Sequence, residues 1–495
     1  MGDCGILNVR EFYQDSVILI SGASGFVGQV LLEKILRSLN PRKVYVMIRS
    51  KKDSSADERL IKMFEDPLFN AVKTPKLMDK IIPVEVNFDQ TENVIPEIMM
   101  NELCDEVTVV FNLLASINFN EPLDCALKVN VDYTDRILEL ANQMKRIKSV
   151  VHISTFYSNC DKNVIEERIY EDIGFGGCDN IRNILSKLGD YEKEVMTKQF
   201  IGGLPNTYTF SKKCAEVLIK EKFTSLPIGI FRPPIVSSAY REPLPGWIDN
   251  FNGPSGMVAP LSEGLYSAVR LDPAKKPFIV PVDYCVNAML VCAVDITSKQ
   301  SSRSVVPVYN YTESEGVRSW DQIVKNMVQG LPLMKRILAS FLTVTVTKNR
   351  LRYAWAKAIM MLQGHLLDVI LQLRGRKPMM AAIFGKMISL SRVLEFFCLN
   401  EWTMHNENTH RLLRSMSEEE LKIFPFDLTS VDWEAYYRNF VSGVVQYAIE
   451  PRKKKFAMSE NNAVVYRSIW HILELNRWLK TIANFLKSII LRHSK

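Results

Sequence analysis

A tyrosine and a lysine stand four residues apart in the sequence YTFSK, at Tyr208 and Lys212. Four residues make about one helical turn, so the two side chains are expected on one face of a helix. A neighbouring ammonium group favours the ionised phenol, and the sequence therefore predicts a lowered phenol pKa at Tyr208. Such a phenol can exchange a proton with a carbonyl or alcohol oxygen. The pattern is common by chance, and its weight comes from its place between two predicted strands.

Two hydroxyl side chains, Ser154 and Thr155, follow the fifth predicted strand. A hydroxyl there can hydrogen-bond the substrate oxygen that the tyrosine serves, so either one completes a reductase triad with Tyr208 and Lys212. The alternative is that these hydroxyls only cap the end of the strand. His152, within the strand, is expected to be a core histidine with its hydrogen bonds satisfied.

The sequence GASGFVG at residues 22–28 follows a predicted strand and opens a predicted helix. Glycines there let the backbone turn tightly and approach a pyrophosphate, and the helix N-terminus supplies free N–H groups. The alternative is a plain tight turn. The positions expected to contact a dinucleotide are Gly22, Ser24, Gly25, Phe26, Val27 and Gly28.

The end of the second predicted strand bears on which dinucleotide binds. A fold that binds NAD places an acid there, which accepts a hydrogen bond from the ribose 2′-hydroxyl. This chain has Arg49 followed by Ser-Lys-Lys, and no acid before Asp53. A guanidinium group can hold a 2′-phosphate through paired hydrogen bonds, which favours NADPH over NADH. The alternative is a cluster of surface charges.

The composition is that of a folded protein, with 495 residues, 47% hydrophobic and 24% charged. It excludes a disordered tail protein, a collagen-like repeat and a disulfide-stapled miniprotein. Nine cysteines without any CxxC spacing favour free thiols in a reducing compartment, and no metal site is expected. The net charge of +7 is mild and does not argue for nucleic-acid binding.

Short β-branched runs alternate with helical patterns over the first 300 residues, which predicts an α/β fold with a doubly wound parallel sheet. A polar stretch at 161–206 looks like an insertion, and helices are predicted at 26–39 and 124–144. The predicted strands are residues 16–21, 43–48, 81–86, 107–111, 149–153 and 227–231.

Long Met- and Leu-rich helical patterns take over after about residue 350, so we expect a domain boundary near 345. Residues 354–373 are apolar but contain Lys357, His365 and Asp368, which predicts a buried core helix rather than a membrane span. The expected domains are residues 12–345, 346–450 and 451–495.

The last segment has an apolar stripe at spacings of three and four residues, from Ile472 to Ile489, together with Trp478 and Phe485. Basic residues fall largely outside that stripe. This pattern predicts an amphipathic helix that lies on a membrane surface. The alternative is a helix packed on the protein's own surface.

Together, the glycine loop, the hydroxyl at strand five and the YxxxK pattern resemble the extended short-chain dehydrogenase/reductase superfamily. The sequence PLPGWIDNFNGPSG at residues 243–256 is similar to a signature of the alcohol-forming fatty acyl-CoA reductases. Residues 150–155, 231–236 and 280–283 resemble further motifs of that family. Residues 354–450 look like its C-terminal male-sterility domain.

The resemblance implies a Rossmann-type domain with substrate-binding insertions, followed by a mainly helical C-terminal domain. It implies reduction of a long-chain acyl-CoA to a primary alcohol by NADPH, through an aldehyde, with release of coenzyme A. Tyr208 is then the proton donor, while Lys212 tunes it and holds the nicotinamide ribose. Thr155 or Ser154 polarises the thioester carbonyl. Further cofactor-binding positions implied are Asn87, Asp89, Ala115, Pro233, Ile235 and Val236.

Other interpretations stay open from the sequence. A steroid or sugar-nucleotide enzyme of the same superfamily shares the loop and YxxxK, and an inactive lipid-binding scaffold would share the fold. The reductase interpretation implies a peroxisomal or endoplasmic reticulum membrane, with the catalytic domain facing the cytosol, and is compatible with a homo-oligomer. Cys160 is the nearest thiol to the triad, although the reaction needs none.

Overall fold

A computed structural model describes residues 7–49, 54–87, 95–262, 268–298, 305–313, 317–331 and 345–452. The chain divides into two compact units that interleave along the sequence. The first unit comprises residues 1–236, 278–315 and 402–430, and the second comprises 237–277, 316–401 and 431–495. The expected division at residues 345 and 450 stays a prediction, and most of the expected C-terminal tail lies outside the described residues.

The first unit is built on a seven-stranded parallel sheet with strand order β11-β7-β5-β4-β1-β2-β3. The order reverses on either side of β1, as in a doubly wound fold, so the crevice at the carboxyl ends of the central strands is where a ligand is expected. The sheet strands are β1 (Val17–Ser21), β2 (Lys43–Arg49), β3 (Ile81–Val86), β4 (Val109–Asn112), β5 (Ser149–Ile153), β7 (Ile228–Arg232) and β11 (Val308–Asn310).

Short strands complete the β-structure, and one of them ties a late segment to the first unit. β6 pairs in parallel with β13, which places Thr403 opposite Val164. In the second unit, β9 pairs with β12. Their bounds are β6 (Val164–Ile165), β8 (Ile235–Ser237), β9 (Ala268–Val269), β10 (Ile279–Pro281), β12 (Thr345–Val346) and β13 (Thr403–Met404).

Helices cover the sheet because its strands are apolar on both faces: all five residues of β1 and of β5 are buried. Among these helices, α12 packs against β5 and α2, and nearly all of its side chains are buried. The helices of the first unit are α1 (Val9–Tyr13), α2 (Phe26–Ser38), α3 (Ala56–Met63), α4 (Pro75–Met78), α5 (Glu97–Glu106), α6 (Leu123–Leu127), α7 (Tyr133–Gln143), α8 (Cys178–Leu185), α9 (Asp190–Ile201), α10 (Thr207–Lys222), α12 (Val282–Ser298), α16 (Glu407–Arg414) and α17 (Glu418–Ile423).

The second unit is mainly helical. Its two longest helices, Arg350–Leu373 and Met380–Leu399, form a hairpin. Gly364 lies so close to the second helix that a Cβ atom at this position would be 2.9 Å from the Cα atom of Ala381. The helices are α11 (Pro254–Ser262), α13 (Trp320–Gln329), α14 (Arg350–Leu373), α15 (Met380–Leu399) and α18 (Trp433–Gly443), with a π-helical turn at Val444–Ile449.

Helix α14 corresponds to the predicted core helix at 354–373, and it is buried on one face only. Tyr353, Met360 and Leu371 belong to a core cluster shared with α15, while Trp355 and Leu362 on the other face are exposed. Within the described residues, α14 is also the one helix long and apolar enough to cross a membrane, with a mean hydropathy of 1.2 and a third of its most apolar window buried. The expected core helix is therefore found on one face of α14, while the other face is exposed.

Six of the seven strands of the main sheet lie within two residues of their predicted bounds. The strand β11 at the sheet edge is not among the predicted strands, because it has only three residues. The single helix predicted at 124–144 is interrupted by a π-helical turn at Lys128–Asp132.

Candidate active site

Asn206 is the N-cap of helix α10, and its side chain accepts a hydrogen bond from the backbone N–H of Thr209 at 2.9 Å. This N-cap fixes where the helix starts, and Tyr208 and Lys212 follow within its first turns. The ammonium group of Lys212 reaches the end of β5 and donates to the carbonyl oxygen of Ile153 at 2.8 Å. The helix therefore presents both predicted residues to the carboxyl end of the central sheet.

Burial raises the pKa of Tyr208 to about 12, and a side-chain hydrogen bond with Thr155 opposes that rise. The ring also packs against Phe119, with the ring centres 5.5 Å apart. The predicted lowering of this pKa by Lys212 is wrong, because desolvation of the phenolate dominates and the ammonium is engaged with a backbone carbonyl. Tyr208 is therefore a protonated phenol at neutral pH, and it can donate.

Lys212 is almost completely buried, and burial lowers its pKa to about 8, against the opposing effect of the Glu216 carboxylate. An ordinary lysine titrates more than two pH units higher. The side chain therefore stays mainly charged at neutral pH but loses its proton within the range in which enzymes are assayed.

The structure separates the two candidate hydroxyls. Ser154 donates its hydroxyl hydrogen to a carboxylate oxygen of Glu216, inside the protein. Thr155 instead shares a hydrogen bond with Tyr208 and accepts one from the backbone N–H of Tyr157 at 3.3 Å. Thr155 is thus the hydroxyl beside the phenol, and Ser154 belongs to a buried network behind it.

That network centres on an ion pair between Glu216 and Arg232, and both side chains are completely buried. Nε and Nη2 of Arg232 donate to Glu216 at 2.9 and 2.5 Å, and Nη1 and Nη2 donate to the carbonyl oxygens of Glu166 and Arg168. A buried guanidinium is tolerated only when its donors are satisfied in this way. The pair links α10, which carries Tyr208, to the end of β7.

The glycine loop joins β1 to α2 as expected. Gly22 has φ +72°, and a Cβ atom on Gly28 would lie 2.3 Å from the carbonyl oxygen of Gly22, so the turn needs glycine at both positions. Gly25 is the N-cap of α2, and no side chain caps the free N–H groups at the start of this helix. Ser24 is exposed, while Phe26 and Val27 are half-buried at the start of the helix.

Polar side chains connect the ends of three neighbouring strands below the loop. Ser21 donates to Asn112 at 2.6 Å, and the amide of Asn112 donates to Nδ1 of His152 at 3.1 Å. The imidazole proton therefore lies on Nε2, which is buried and has no hydrogen-bond partner within the described ranges. Burial and the charge of Lys212 hold the pKa of His152 well below its ordinary value. The expected satisfied histidine is thus satisfied at one nitrogen only.

Two arginines, Arg49 and Arg59, lie near each other at the end of β2. Arg49 is exposed, and its carbonyl oxygen accepts a hydrogen bond from Arg59 of α3. Burial and the nearby charge of Arg49 lower the pKa of Arg59 below its ordinary value. Such a pair of like charges suits a site for an anion.

The remaining sequence-predicted positions that the structure describes lie at the same edge of the sheet. Asn87 directly follows β3, Ala115 lies in the loop after β4, and Asp89 lies outside the described residues. Beyond β7, the carbonyl oxygen of Pro233 accepts from the N–H of Phe156 at 2.9 Å, and Ile235 and Val236 begin β8.

These features fit a nicotinamide dinucleotide. The glycine turn leaves no space for a Cβ atom at Gly28, the N-terminus of α2 is uncapped by side chains, and an unpaired imidazole nitrogen is buried nearby. A pyrophosphate at the helix N-terminus is the ligand that this arrangement accommodates.

Comparisons with known proteins decide the family. An NAD-binding family model described as male sterility protein matches residues 20–289, and a second one with the same description matches residues 359–450. Fatty acyl-CoA reductase 1 of Xenopus laevis is 33% identical, over 90% of this chain and 87% of that protein. This chain belongs to the fatty acyl-CoA reductase family. The expected superfamily and a nicotinamide-binding domain are thereby confirmed.

A second member of the family is similar over nearly the same share of the chain. Fatty acyl-CoA reductase wat of Drosophila melanogaster is 31% identical, over 89% of this chain and 86% of that protein. Among solved structures, the terminal R domain from the myxalamid PKS-NRPS pathway matches with a TM-score of 0.55 and 19% identity, over 88% of this chain and 92% of that one. A likeness of such low identity shows the fold alone, and it confirms the predicted α/β architecture.

Cys160 does not behave as an acyl-carrying thiol in this reductase-family chain. It is buried, and burial together with Asp161 raises the pKa of its thiol far above the ordinary value. A thiol that holds its proton so strongly is a poor nucleophile. Its carbonyl oxygen accepts from the indole N–H of Trp402 at 3.0 Å, which suits a structural role.

Several residues around the site were not predicted from the sequence. Glu216 follows Lys212 by four residues, and that spacing on one helix face could have pointed to it. Asn130 lies in the π-helical turn, and its side chain donates to Ser211 of α10 at 2.8 Å. Arg59 lies ten residues beyond Arg49, and no local pattern connects the two.

Proposed function

We propose that this chain reduces long-chain fatty acyl-CoA to the primary alcohol, with release of coenzyme A and with NADPH as the reductant. The family and its relatives' names support the substrate class. The observation that carries the proposal is the protonated phenol of Tyr208, hydrogen-bonded to Thr155 at the end of β5. A pair of hydroxyl donors at this point of the sheet suits an oxygen that gains negative charge.

Reduced nicotinamide, when bound, supplies a hydride in each of two successive reductions. Hydride addition to the thioester carbon leaves an oxyanion, which Tyr208 and Thr155 stabilise by hydrogen bonding. As the carbonyl re-forms, the carbon–sulfur bond breaks and coenzyme A leaves as a thiolate that takes up a proton. The second reduction acts on the aldehyde, and Tyr208 donates its proton to the alkoxide to give the alcohol.

Lys212 then supports the phenol without lowering its pKa in the free protein. We assign it to the nicotinamide ribose, as the family resemblance implies. Its ammonium is already fixed at the end of β5 by the carbonyl of Ile153, so little rearrangement is needed. Glu216 opposes the loss of its proton, which keeps the ammonium charged near neutral pH.

We also propose that NADPH is preferred over NADH. Arg49 and Arg59 together place two positive charges at the end of β2, where the 2′-phosphate of NADP is expected. One arginine would supply a counter-charge, and two can share the phosphate oxygens between them.

We propose that the enzyme works at a peroxisomal or endoplasmic reticulum membrane, with its catalytic unit facing the cytosol and its C-terminal helix on the membrane surface. That helix lies outside the described residues. The support is the amphipathic pattern of the tail and the poor solubility of the long-chain alcohol product, which favours release into lipid. A homo-oligomer stays a prediction.

The test is a product analysis with the purified full-length chain, NADPH and a long-chain acyl-CoA. The proposal predicts fatty alcohol and free coenzyme A in equal amounts, with two NADPH consumed per coenzyme A released. Free aldehyde alone, or NADPH binding without any product, would contradict it. Replacing NADPH by NADH at the same concentration is expected to slow the reaction strongly.

A further inference from the structure

The outer face of α14 is an unbroken apolar stripe. Six of the fourteen large hydrophobic side chains that are exposed in the described part of the chain lie on this one helix. Their spacings of four, seven, four, three and four residues put them on one side of the helix over about 33 Å. We call them the outer stripe: Leu351, Trp355, Leu362, Leu366, Val369 and Leu373.

Positive charge surrounds the outer stripe. From residue 350 to residue 392 the sequence has eight lysines and arginines and one acid, Asp368. Arg350 and Arg352 stand at the start of α14, and Arg374, Arg376 and Lys377 follow its end. Within the described residues, none of these five has a carboxylate partner within 4 Å. Cations without a carboxylate partner therefore stand at both ends of the outer stripe.

The single acid of this segment is turned inward. Asp368 is buried and accepts hydrogen bonds from the backbone N–H groups of Met379, Met380 and Ala381, at 2.7, 2.7 and 3.0 Å. It therefore caps the N-terminus of α15 and fixes the angle of the hairpin. Its charge stabilises the hairpin and does not interrupt the outer stripe.

We propose that the outer stripe of α14 lies in the surface of a membrane that contains anionic phospholipids. The apolar side chains enter the boundary of the hydrocarbon, and the cations at both ends contact the lipid phosphates. Amphipathic helices with lysine, arginine and tryptophan bind membranes in this way. This contact is separate from the one proposed for the C-terminal tail, and it does not depend on the reduction chemistry.

The hairpin lies along the membrane and does not cross it. Helix α15 exposes Lys386, Ser389 and Arg392, and a crossing hairpin would bring the two charged side chains into hydrocarbon. Only α14 has a continuous apolar outer face, so one side of the hairpin meets lipid and α15 keeps its charges in water.

The charges argue against two other occupants of the stripe. A second copy of the chain, or the C-terminal tail, would bring further positive charge to a face that is already cationic. Like charges at short distance destabilise such contacts. An anionic lipid surface offers the opposite charge together with an apolar interior.

The main test is vesicle flotation of the full-length chain, with vesicles of phosphatidylcholine alone and with phosphatidylserine added. We expect the double variant Leu362→Glu/Leu366→Glu to bind the anionic vesicles about tenfold or more weakly than the unchanged chain. The matched control is Ile61→Glu/Ile98→Glu, which alters two exposed isoleucines of the first unit and is expected to bind normally. Reductase activity with a water-soluble medium-chain acyl-CoA should stay unchanged in both variants, which separates this inference from the proposed function.

A second readout follows the contact directly. Lipids brominated near the middle of the acyl chain quench nearby tryptophan, so the unchanged chain is expected to lose more fluorescence than Trp355→Phe, which keeps an apolar ring. Equal quenching in the two proteins would overturn the proposal. Normal vesicle binding of the stripe variant would overturn it as well, and so would a dimer that only the unchanged chain forms without vesicles.

Discussion

Charged side chains are usually exposed and large apolar side chains are usually buried. The end of the central sheet and the outer face of α14 both depart from this pattern, in opposite ways. Around Tyr208, the charged groups of Lys212, Glu216 and Arg232 are buried. On α14, large apolar side chains are exposed. Buried charges and contiguous exposed apolar side chains both destabilise a free monomer, and both commonly mark functional sites.

The two regions differ in how their charges are compensated. Glu216 receives donors from Arg232, Ser154 and Ser158, so the buried charge is neutralised by its own chain. The arginines at the ends of α14 have no such partner among the described residues. Charges that are paired within the chain, as around Glu216, hold its own elements in position. Unpaired surface charges, as at the ends of α14, are available to bind an external partner.

The largest expected effect lies in the buried ion pair. Glu216→Gln would leave the guanidinium of Arg232 buried without its counter-charge, which we expect to lower the free energy of unfolding by about 3–5 kcal/mol. Denaturant titration measures this loss. Glu221→Gln, at an exposed position of the same helix, is the control and should unfold like the unchanged chain. A loss below about 1 kcal/mol at Glu216, within the usual worth of an exposed pair, would show that the network is not what holds α10 to β7.

The next effect separates the two hydroxyls. Thr155→Val removes the donor beside Tyr208 and is expected to reduce kcat by about 10²-fold. Ser154→Ala removes one hydrogen bond to Glu216, so we expect a small loss of stability, about 1 kcal/mol, with kcat kept within a few-fold. Steady-state kinetics of both variants with the same acyl-CoA make the comparison. If Ser154→Ala were the more damaging for kcat, the assignment of the hydroxyl to Thr155 would be reversed.

A smaller effect concerns the choice of cofactor. Loss of one charged contact to a 2′-phosphate is expected to raise the KM for NADPH about tenfold in Arg49→Ala and in Arg59→Ala, with little change for NADH. Lys62→Ala, elsewhere on α3, is the matched control. Equal effects on both cofactors would remove these two residues from the phosphate site.

The smallest effect is a shift in a pH profile. Because burial lowers the pKa of Lys212 to about 8, its proton is present below that pH and is lost above it. The value of kcat/KM for NADPH should therefore fall as the pH rises through about 8. Lys212→Arg stays protonated and should move this fall to higher pH, even if the maximal rate is reduced. Lys213→Arg is the control, and a fall that stays in place in Lys212→Arg would assign it to another group.

Local patterns predicted the parts of the fold that are continuous in the sequence. The apolar run before Gly22 is β1 to within one residue, and the glycine loop leads into α2 as expected. The YxxxK spacing placed Tyr208 and Lys212 correctly on one helix. These features are visible because periodicity and glycine positions act over a few residues.

Features that depend on distant parts of the chain were not predictable in the same way. The partner of Ser154 is 62 residues further along, so the sequence left the choice between two hydroxyls open. The sign of the pKa shift at Tyr208 depends on burial by the surrounding fold, and a spacing rule contains no burial. The half-exposed state of α14 likewise depends on which of its faces meets α15.

The role of the Tyr208 phenol is tested by the reaction of Tyr208→Phe with NADPH and a long-chain acyl-CoA, measured beside NADPH binding. We expect NADPH to bind with nearly unchanged affinity while alcohol formation falls by about 10²-fold or more, because one donor to the developing oxyanion is lost. Tyr191→Phe, at an exposed tyrosine, should behave like the unchanged chain. Near-normal alcohol formation by Tyr208→Phe would show that its phenol is not the proton donor of the reaction.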